Sequence, residues 1–184
     1  MACDKIMLIR HAERPTPDKA FRGVDASGRK DKESLTVPGW RRAGALARHF
    51  APLDGPHACD GLETPARLYA CKADAKDPSL RPQLTLAPLS ELLGVKINCD
   101  FYHGEERRLV EHVLKGEGPA LISWKHDGMT PIADAILGDA RSAPRGWPYG
   151  RYDVTWIFAR RGGGWIFSQA PQMLLAGDSR DPIG

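Results

Sequence analysis

Short apolar runs alternate with amphipathic stretches along most of the chain. Residues 5–9 and 120–124 are largely apolar, and continuous runs of this length are typical of strands buried on both faces of a sheet. Similar short runs at 67–71 and 95–98 predict two further strands. Between these runs, apolar side chains recur at three- and four-residue spacing, which predicts helices over 37–50, 81–93 and 105–115. A fourth helix is expected from Pro131 to near Gly138, with Thr130 as its N-cap.

The order of these elements predicts the fold class. Strand and helix alternate four times, and two final strands at 153–159 and 165–169 are joined by a glycine-rich segment typical of a hairpin. Such alternation favours an α/β protein, a three-layer sandwich with a mainly parallel, mixed sheet and helices on both faces. A chain of 184 residues fits a single domain over 1–184, because domains average roughly 150 residues. Residues 14–34 read as one long loop that is rich in proline, glycine and basic side chains.

Composition excludes several classes of partner. The chain has no apolar run long enough for a signal-peptide core or a membrane span. Its net charge of +3 is too weak to indicate a nucleic acid partner. The four cysteines form no C-x-x-C pair, which argues against a zinc knuckle and fits reduced thiols. We therefore expect a cytoplasmic protein that contacts neither membrane nor nucleic acid.

Two of the predicted buried strands are each followed by a histidine, His11 and His126. Adjacent parallel strands would bring both imidazoles to the same edge of the sheet, where α/β proteins bind their ligands. Arg10 stands beside the first histidine, and a guanidinium binds phosphate in a bidentate manner. A neutral imidazole is a nucleophile toward phosphorus. This combination predicts phosphoryl transfer through a phosphohistidine.

Four segments, in order, resemble the motifs of the histidine phosphatase superfamily, which includes the phosphoglycerate mutases. The resemblance spans roughly residues 5–138 and rests on these segments: Leu8-Ile9-Arg10-His11-Ala12-Glu13, then Leu35-Thr36 with Gly39 and Arg42-Ala43, then Ser79, Arg81 and Thr85, and finally Ile122-Ser123-Trp124-Lys125-His126.

The resemblance implies a phosphoglycerate mutase-like fold and metal-independent chemistry without a cofactor. His11 would be the nucleophile that becomes phosphorylated. Arg10, Arg81 and His126 would bind the phosphoryl oxygens and stabilise charge in the transition state. The expected activity is hydrolysis of a phosphomonoester on a small molecule, or of a phosphohistidine on another protein.

The chain departs from the family pattern at several positions. Ala12 stands in the place of the usual glycine, and Pro17 in the place of an asparagine of the mutases. Arg14 or Arg22 would then supply the missing phosphate donor.

The general acid has two candidates. In the mutase branch a glutamate precedes the second histidine, and Glu105, with Glu106 beside it, occupies a comparable place. In the acid-phosphatase branch an aspartate follows the second histidine, and here that residue is Asp127. The sequence does not choose between the two.

Two other functions stay open. One is a non-catalytic module on the same fold that binds phosphate or a phosphopeptide. The other is a metal hydrolase with His11, Glu13 and His126 as ligands. Among catalytic outcomes, hydrolysis is favoured over mutase activity, because the segment 139–152 is short and the loop 14–34, which we expect to be mobile, is the one obvious lid.

Overall fold

The computed structural model describes residues 3–16 and 20–184. It confirms the predicted order of strands and helices, with small shifts at the boundaries. The elements are β1 (Lys5–Arg10), α1 (Val37–Phe50), β2 (Arg67–Ala70), α2 (Arg81–Leu93), β3 (Ile97–Asn98), α3 (Glu106–Lys115), β4 (Ala120–Trp124), a 3₁₀ turn (His126–Gly128), α4 (Met129–Leu137), β5 (Val154–Arg161) and β6 (Gly164–Pro171).

One mixed sheet organises the structure, with the strand order β3-β2-β4-β1-β5-β6. The first four strands run parallel, whereas β5 is antiparallel to β1 and β6 is antiparallel to β5. Since β1 lies between β4 and β5, both of its edges are paired. This explains why its sequence is a continuous apolar run.

Helices cover both faces of the sheet. Alternate β1 side chains point to opposite sides, so Met7 and Ile9 pack with α1 and α2, while Ile6 and Leu8 pack with α3 and α4. Each face buries one large apolar cluster. The fold is therefore the predicted three-layer sandwich.

The terminal hairpin is longer than predicted, because its strands extend to within two residues of each other. Gly162 and Gly163 form the turn with φ values of 56° and 87°. Two consecutive positive φ angles are the requirement of the tight turn that matches the twist of a hairpin, and glycine adopts them without steric cost.

The start of α4 differs from the prediction. The helix begins at Met129 after the 3₁₀ turn, and its N-cap is Gly128, so the assignment of Thr130 as N-cap is wrong. The Thr130 hydroxyl instead donates to the Pro144 carbonyl at 3.4 Å. Pro131 fits as the third helical residue, because the first N–H groups of a helix have no partner within the helix.

The described part of the long loop is tied to the first helix. The Trp40 indole donates to the Val24 carbonyl at 2.9 Å, and the Val24 N–H donates to Leu35 at 2.9 Å. Within the two described ranges, none of the helices combines the length and the apolar character needed to span a membrane.

Candidate active site

The candidate site lies where β1 and β4 end side by side. Arg10 is in register with Trp124, and the His11 N–H donates to the Trp124 carbonyl at 2.9 Å. His11 and His126 therefore follow neighbouring parallel strands, as the sequence predicted. Both line a cleft of about 200 Å³, together with Arg14, Asp77, Ser79, Arg81, Lys125 and Asp127.

His11 is held in the protonation state that suits a nucleophile. Its ring is nearly buried, with 4% of the residue exposed, and its Nδ1 lies 2.7 Å from the Ala12 carbonyl oxygen. A carbonyl oxygen only accepts hydrogen bonds, so Nδ1 carries the proton and Nε2 keeps the lone pair. Burial, with the charges of Arg10 and Arg81, lowers the pKa of His11 well below its usual 6.5. The imidazole is therefore neutral at physiological pH.

Thr85 fixes the backbone that follows His11, the candidate nucleophile. Its hydroxyl accepts a hydrogen bond from the Ala12 N–H at 2.8 Å and donates to the Arg81 carbonyl, one turn earlier in α2, also at 2.8 Å. The four-residue spacing between Arg81 and Thr85 thus places both on one side of α2. Arg81 faces the cleft, while Thr85 anchors the segment that carries His11.

The second motif supports the segment after His11. Thr36 caps α1 by accepting from the Gly39 N–H at 3.2 Å, and its hydroxyl donates to the Glu13 carbonyl at 3.1 Å. A Cβ on Gly39 would lie 2.6 Å from the same carbonyl oxygen, so only glycine permits this approach. Arg42 is buried and binds both Glu13 and Asp178 through charged hydrogen bonds.

Glu13 therefore does not join the two histidines as a metal ligand. Its Oε1 is paired with the Arg42 guanidinium at 2.8 Å, which gives the carboxylate a role in holding the chain. Among the residues that the structure describes, there is no group of three or more histidine, cysteine or acidic side chains that would hold a metal ion.

Arg10 lies behind the cleft rather than in its lining. The side chain is buried, and its Nη1 donates to the carbonyl groups of Pro148, Tyr149 and Arg151. Its Nη2 donates to the Tyr152 hydroxyl at 3.3 Å, while Nε is buried without a partner in the described chain. Burial lowers the pKa of Arg10 to about 10. The guanidinium thus ties the loop 148–152 to the end of β1.

Two tyrosines of that loop form a wall beside the histidines. The Tyr149 ring lies 5.8 Å from the His126 ring, edge to face, and the Arg14 guanidinium lies 4.4 Å from the Tyr149 centroid. The Tyr152 ring is 6.2 Å from the His11 ring. Sequence reasoning missed both tyrosines, because they belong to an irregular loop that is far from His11 in the sequence. Arg10 and Pro148, which form a hydrogen bond, are 138 residues apart.

The predicted cationic residues are divided between two places. Arg81 lines the cleft, its Nη1 donates to the Lys32 carbonyl at 3.0 Å, and burial lowers its pKa. Arg14 also lines the cleft. Arg22 is exposed and lines a separate groove with Phe21 and neighbouring loop residues, so it is not brought to the histidines. Pro17 lies outside the described residues.

The two candidate acids are also separated. Asp127 lines the cleft, with 54% of its side chain exposed, and its Oδ1 lies 3.1 Å from His103 Nε2. Glu105 is the N-cap residue of α3; it accepts from the Tyr102 N–H at 3.0 Å and is paired with Arg108. The Tyr102 hydrogen bond lowers the pKa of Glu105. Asp127 is thus the candidate that the fold brings to the cleft.

His126 completes the lining from the first residue of the 3₁₀ turn. Burial, with the nearby Arg10 charge, lowers its pKa. Glu106, the neighbour of Glu105, is buried and accepts from the Trp124 indole at 3.0 Å. This contact ties α3 to the end of β4, so Glu106 supports the turn on which His126 lies.

Three further cleft residues were not singled out for chemistry by the sequence: Asp77, Ser79 and Lys125. Lys125 had a recognisable signal, since it stands between the buried strand and His126. Asp77 and Ser79 precede α2 in a polar loop. Ser79 was noted only as part of the motif that contains Arg81, and no local pattern marks Asp77.

No protein-family model matches the chain, and no curated protein matches its sequence. Solved structures do match its fold. A mycobacterial glucosyl-3-phosphoglycerate phosphatase in complex with VO3 superimposes with a TM-score of 0.54 and 12% identity, covering 92% of this chain and 98% of that one. A phosphoserine phosphatase mutant from Entamoeba histolytica, in complex with phosphoserine, has a TM-score of 0.53 and 12% identity, covering 89% and 94%. The chain has the fold of these histidine phosphatase superfamily structures.

Proposed function

We propose that the chain is a phosphatase that hydrolyses a phosphomonoester through a covalent phosphohistidine at His11. The observation that carries the proposal is the state of His11: buried, neutral, with its Nδ1 proton engaged by the Ala12 carbonyl, and part of a cleft lined by cationic side chains. The fold shared with phosphatases of known structure supports it.

The reaction would proceed in two displacements. Nε2 of His11 attacks phosphorus, the phosphorus–oxygen bond to the alcohol breaks, and Asp127 donates a proton to the departing oxygen. Water then attacks phosphorus, the phosphorus–nitrogen bond to Nε2 of His11 breaks, Asp127 takes up one proton from the water, and inorganic phosphate leaves. Arg14, Arg81 and His126 would hold the phosphoryl oxygens, where preorganised positive charge stabilises the transition state.

The neighbouring groove would receive the alcohol part of the substrate. It has a volume of about 490 Å³ and shares Arg14 with the cleft. Aromatic and aliphatic side chains contribute to its walls, including Phe21, Tyr149, Tyr152 and Leu175. Such a lining suits a phosphomonoester with an apolar or aromatic alcohol. Location in the cytoplasm stays a prediction from composition.

Phosphoenzyme trapping tests the proposal. The protein is mixed with ³²P-labelled aryl phosphate and quenched after milliseconds, and we expect a protein label that is labile in acid and stable in base. His11→Ala should abolish both the label and turnover, whereas His57→Ala, outside the cleft, should retain them. Turnover should survive a chelator. A His11→Ala variant that keeps most of its activity would contradict the proposal, and phosphate binding without any label would favour a binding module.

A further inference from the structure

The cleft contains more anion-binding groups than the predicted set. Ser79 is 4% exposed, and its Oγ is buried with no hydrogen-bond partner among the described residues. Leaving a buried hydroxyl unpaired destabilises a folded protein. Ser79 lines the cleft beside Arg81, whose Nε is likewise buried and unpaired. Two unpaired donors on the same cleft therefore indicate a site built for an acceptor.

Ser79 lies two residues before the start of α2, and this position also favours the binding of an anion. The 13-residue helix begins at Arg81 with no side-chain cap and no acidic residue in its first turn. Its positive end is therefore not offset by its own side chains. A doubly charged oxyanion in the cleft would be favoured by this helix terminus and would supply the acceptor that the Ser79 hydroxyl lacks.

Lys125 comes directly after β4, the strand that lies beside β1 in the sheet. Its side chain is 14% exposed, and its ammonium is paired with Asp77, which precedes Ser79 in the loop before α2. This ion pair joins the end of β4 to the start of α2 across the cleft. An ammonium has three donors, so pairing with one carboxylate leaves donors for a phosphoryl oxygen.

We propose that Ser79 and Lys125 are phosphoryl-binding residues of this site, with Asp77 as the residue that positions Lys125. The proposal rests on the proposed function for the identity of the bound group. It assigns the inorganic phosphate product and the phosphoryl group of the substrate to the same set of donors: the Ser79 hydroxyl, the Lys125 ammonium and the Arg81 guanidinium.

Phosphate binding by substituted proteins tests the assignment. Isothermal titration with inorganic phosphate should show that Ser79→Ala and Lys125→Met each weaken binding on the order of tenfold, as loss of a hydrogen bond to a charged group does. Lys125→Arg should restore part of the affinity. Ser123→Ala is the matched control, since the Ser123 hydroxyl in β4 is also buried and unpaired but does not line the cleft; its phosphate affinity should be unchanged.

Thermal melting separates a ligand role from a structural one. Without phosphate, Ser79→Ala should melt no lower than the unsubstituted protein, because the substitution removes an unpaired buried hydroxyl. With phosphate, its gain in melting temperature should be smaller. Unchanged phosphate affinity in Ser79→Ala, or an unsubstituted protein that binds no phosphate, would overturn the assignment. If a phosphohistidine forms while Ser79→Ala binds normally, the assignment fails and the proposed function stands.

Discussion

Arg81 lines the cleft, and only part of its guanidinium has hydrogen-bond partners within the described chain. Its Nη1 is held by Lys32, while Nε is buried without a partner in the described chain. Arg81→Ala should lower kcat on the order of 10² or more, as removal of other preorganised charge stabilisers does. Arg81→Lys should also be slow, because an ammonium lacks the planar fork of a guanidinium. Steady-state kinetics with an aryl phosphate measures both effects.

Arg41 provides the comparison for Arg81. It is exposed on α1 and does not line the cleft, so Arg41→Ala should leave kcat and KM within experimental error. Kinetics that are equally normal in Arg81→Ala would show that Arg81 has no role in phosphate binding.

Asp127 is the candidate acid that the fold brings to the cleft. Asp127→Asn should slow alkyl phosphates far more than aryl phosphates, because an alkoxide leaving group needs a proton and a phenolate with low pKa does not. Glu105→Gln should show no such selectivity, since Glu105 is bound to the Tyr102 N–H and Arg108. Plotting kcat/KM against leaving-group pKa measures the effect. The reverse pattern would make Glu105 the acid.

Single residues were predictable where a local pattern points to them. Arg10 ends a buried strand and His11 and His126 follow buried strands, and strand ends mark ligand sites in α/β proteins. Ser79 and Tyr149 enter the site from irregular segments, and their proximity depends on how separate loops fold back. Arg10 was predicted to bind phosphate, but its contacts with the 148–151 carbonyl groups arise from a loop that no periodicity describes.

At the scale of elements, α2 positions the proposed nucleophile His11 through the Thr85 hydroxyl. Thr85→Val keeps the shape of the side chain but leaves the buried Ala12 N–H without its acceptor, which should cost about 1–3 kcal/mol of unfolding free energy. It should also lower kcat, because the His11 segment loses its anchor. Thr85→Ser retains the hydroxyl and should preserve most of both quantities. Urea denaturation and steady-state kinetics measure them, and a fully stable, fully active Thr85→Val would contradict the argument.

His49, a buried residue of α1, makes the unfolding free energy depend on pH. Burial lowers the pKa of His49 to about 4, below the roughly 6.5 of an unfolded histidine. Between these values the unfolded chain binds a proton that the folded chain does not. The unfolding free energy should therefore fall as pH decreases from about 6.5 toward 4, by up to about 1.4 kcal/mol per pH unit for this group.

His49→Leu tests the contribution of that imidazole. Its unfolding free energy should depend less steeply on pH between 6.5 and 4, although His11, whose pKa is also lowered by burial, still contributes a slope of the same sign. Urea denaturation at pH 7.5, 6.0 and 5.0 gives both slopes. An identical slope in the two proteins would mean that the pKa of His49 is the same in the folded and unfolded states.

Element types followed from periodicity, whereas element ends depended on contacts. In the predicted helix 37–50, Trp40, Ala43 and Leu46 recur at three-residue spacing and pack against the core or the long loop, because a 3.6-residue period leaves one apolar face. The start of α4 was misplaced because the His126–Gly128 turn holds no side-chain cap that the sequence would reveal. Gly39 was read as part of a motif, and its steric role became visible only with the position of Glu13.

At the scale of the whole molecule, the cleft is open to water. Asp127 is 54% exposed, and the described part of the long loop is tied to the start of α2, where Glu33 accepts from the Leu80 N–H at 3.2 Å. The segment 148–152 is fixed to β1 by Arg10. A mutase must hold its phosphoenzyme away from water until the intermediate reorients. Because the segments around the cleft are fixed and leave it open to water, we expect hydrolysis rather than mutase activity.

The intact protein should therefore release inorganic phosphate from aryl phosphates. With 3-phosphoglycerate and its bisphosphate primer, it should give little 2-phosphoglycerate, because water reaches the phosphohistidine before the intermediate returns the phosphoryl group. Phosphate release and isomer formation are measured in the same reaction by ³¹P NMR, with His11→Ala as the control for non-enzymatic turnover. Efficient isomerisation with negligible phosphate release would show that the cleft closes around its intermediate, and it would contradict this prediction.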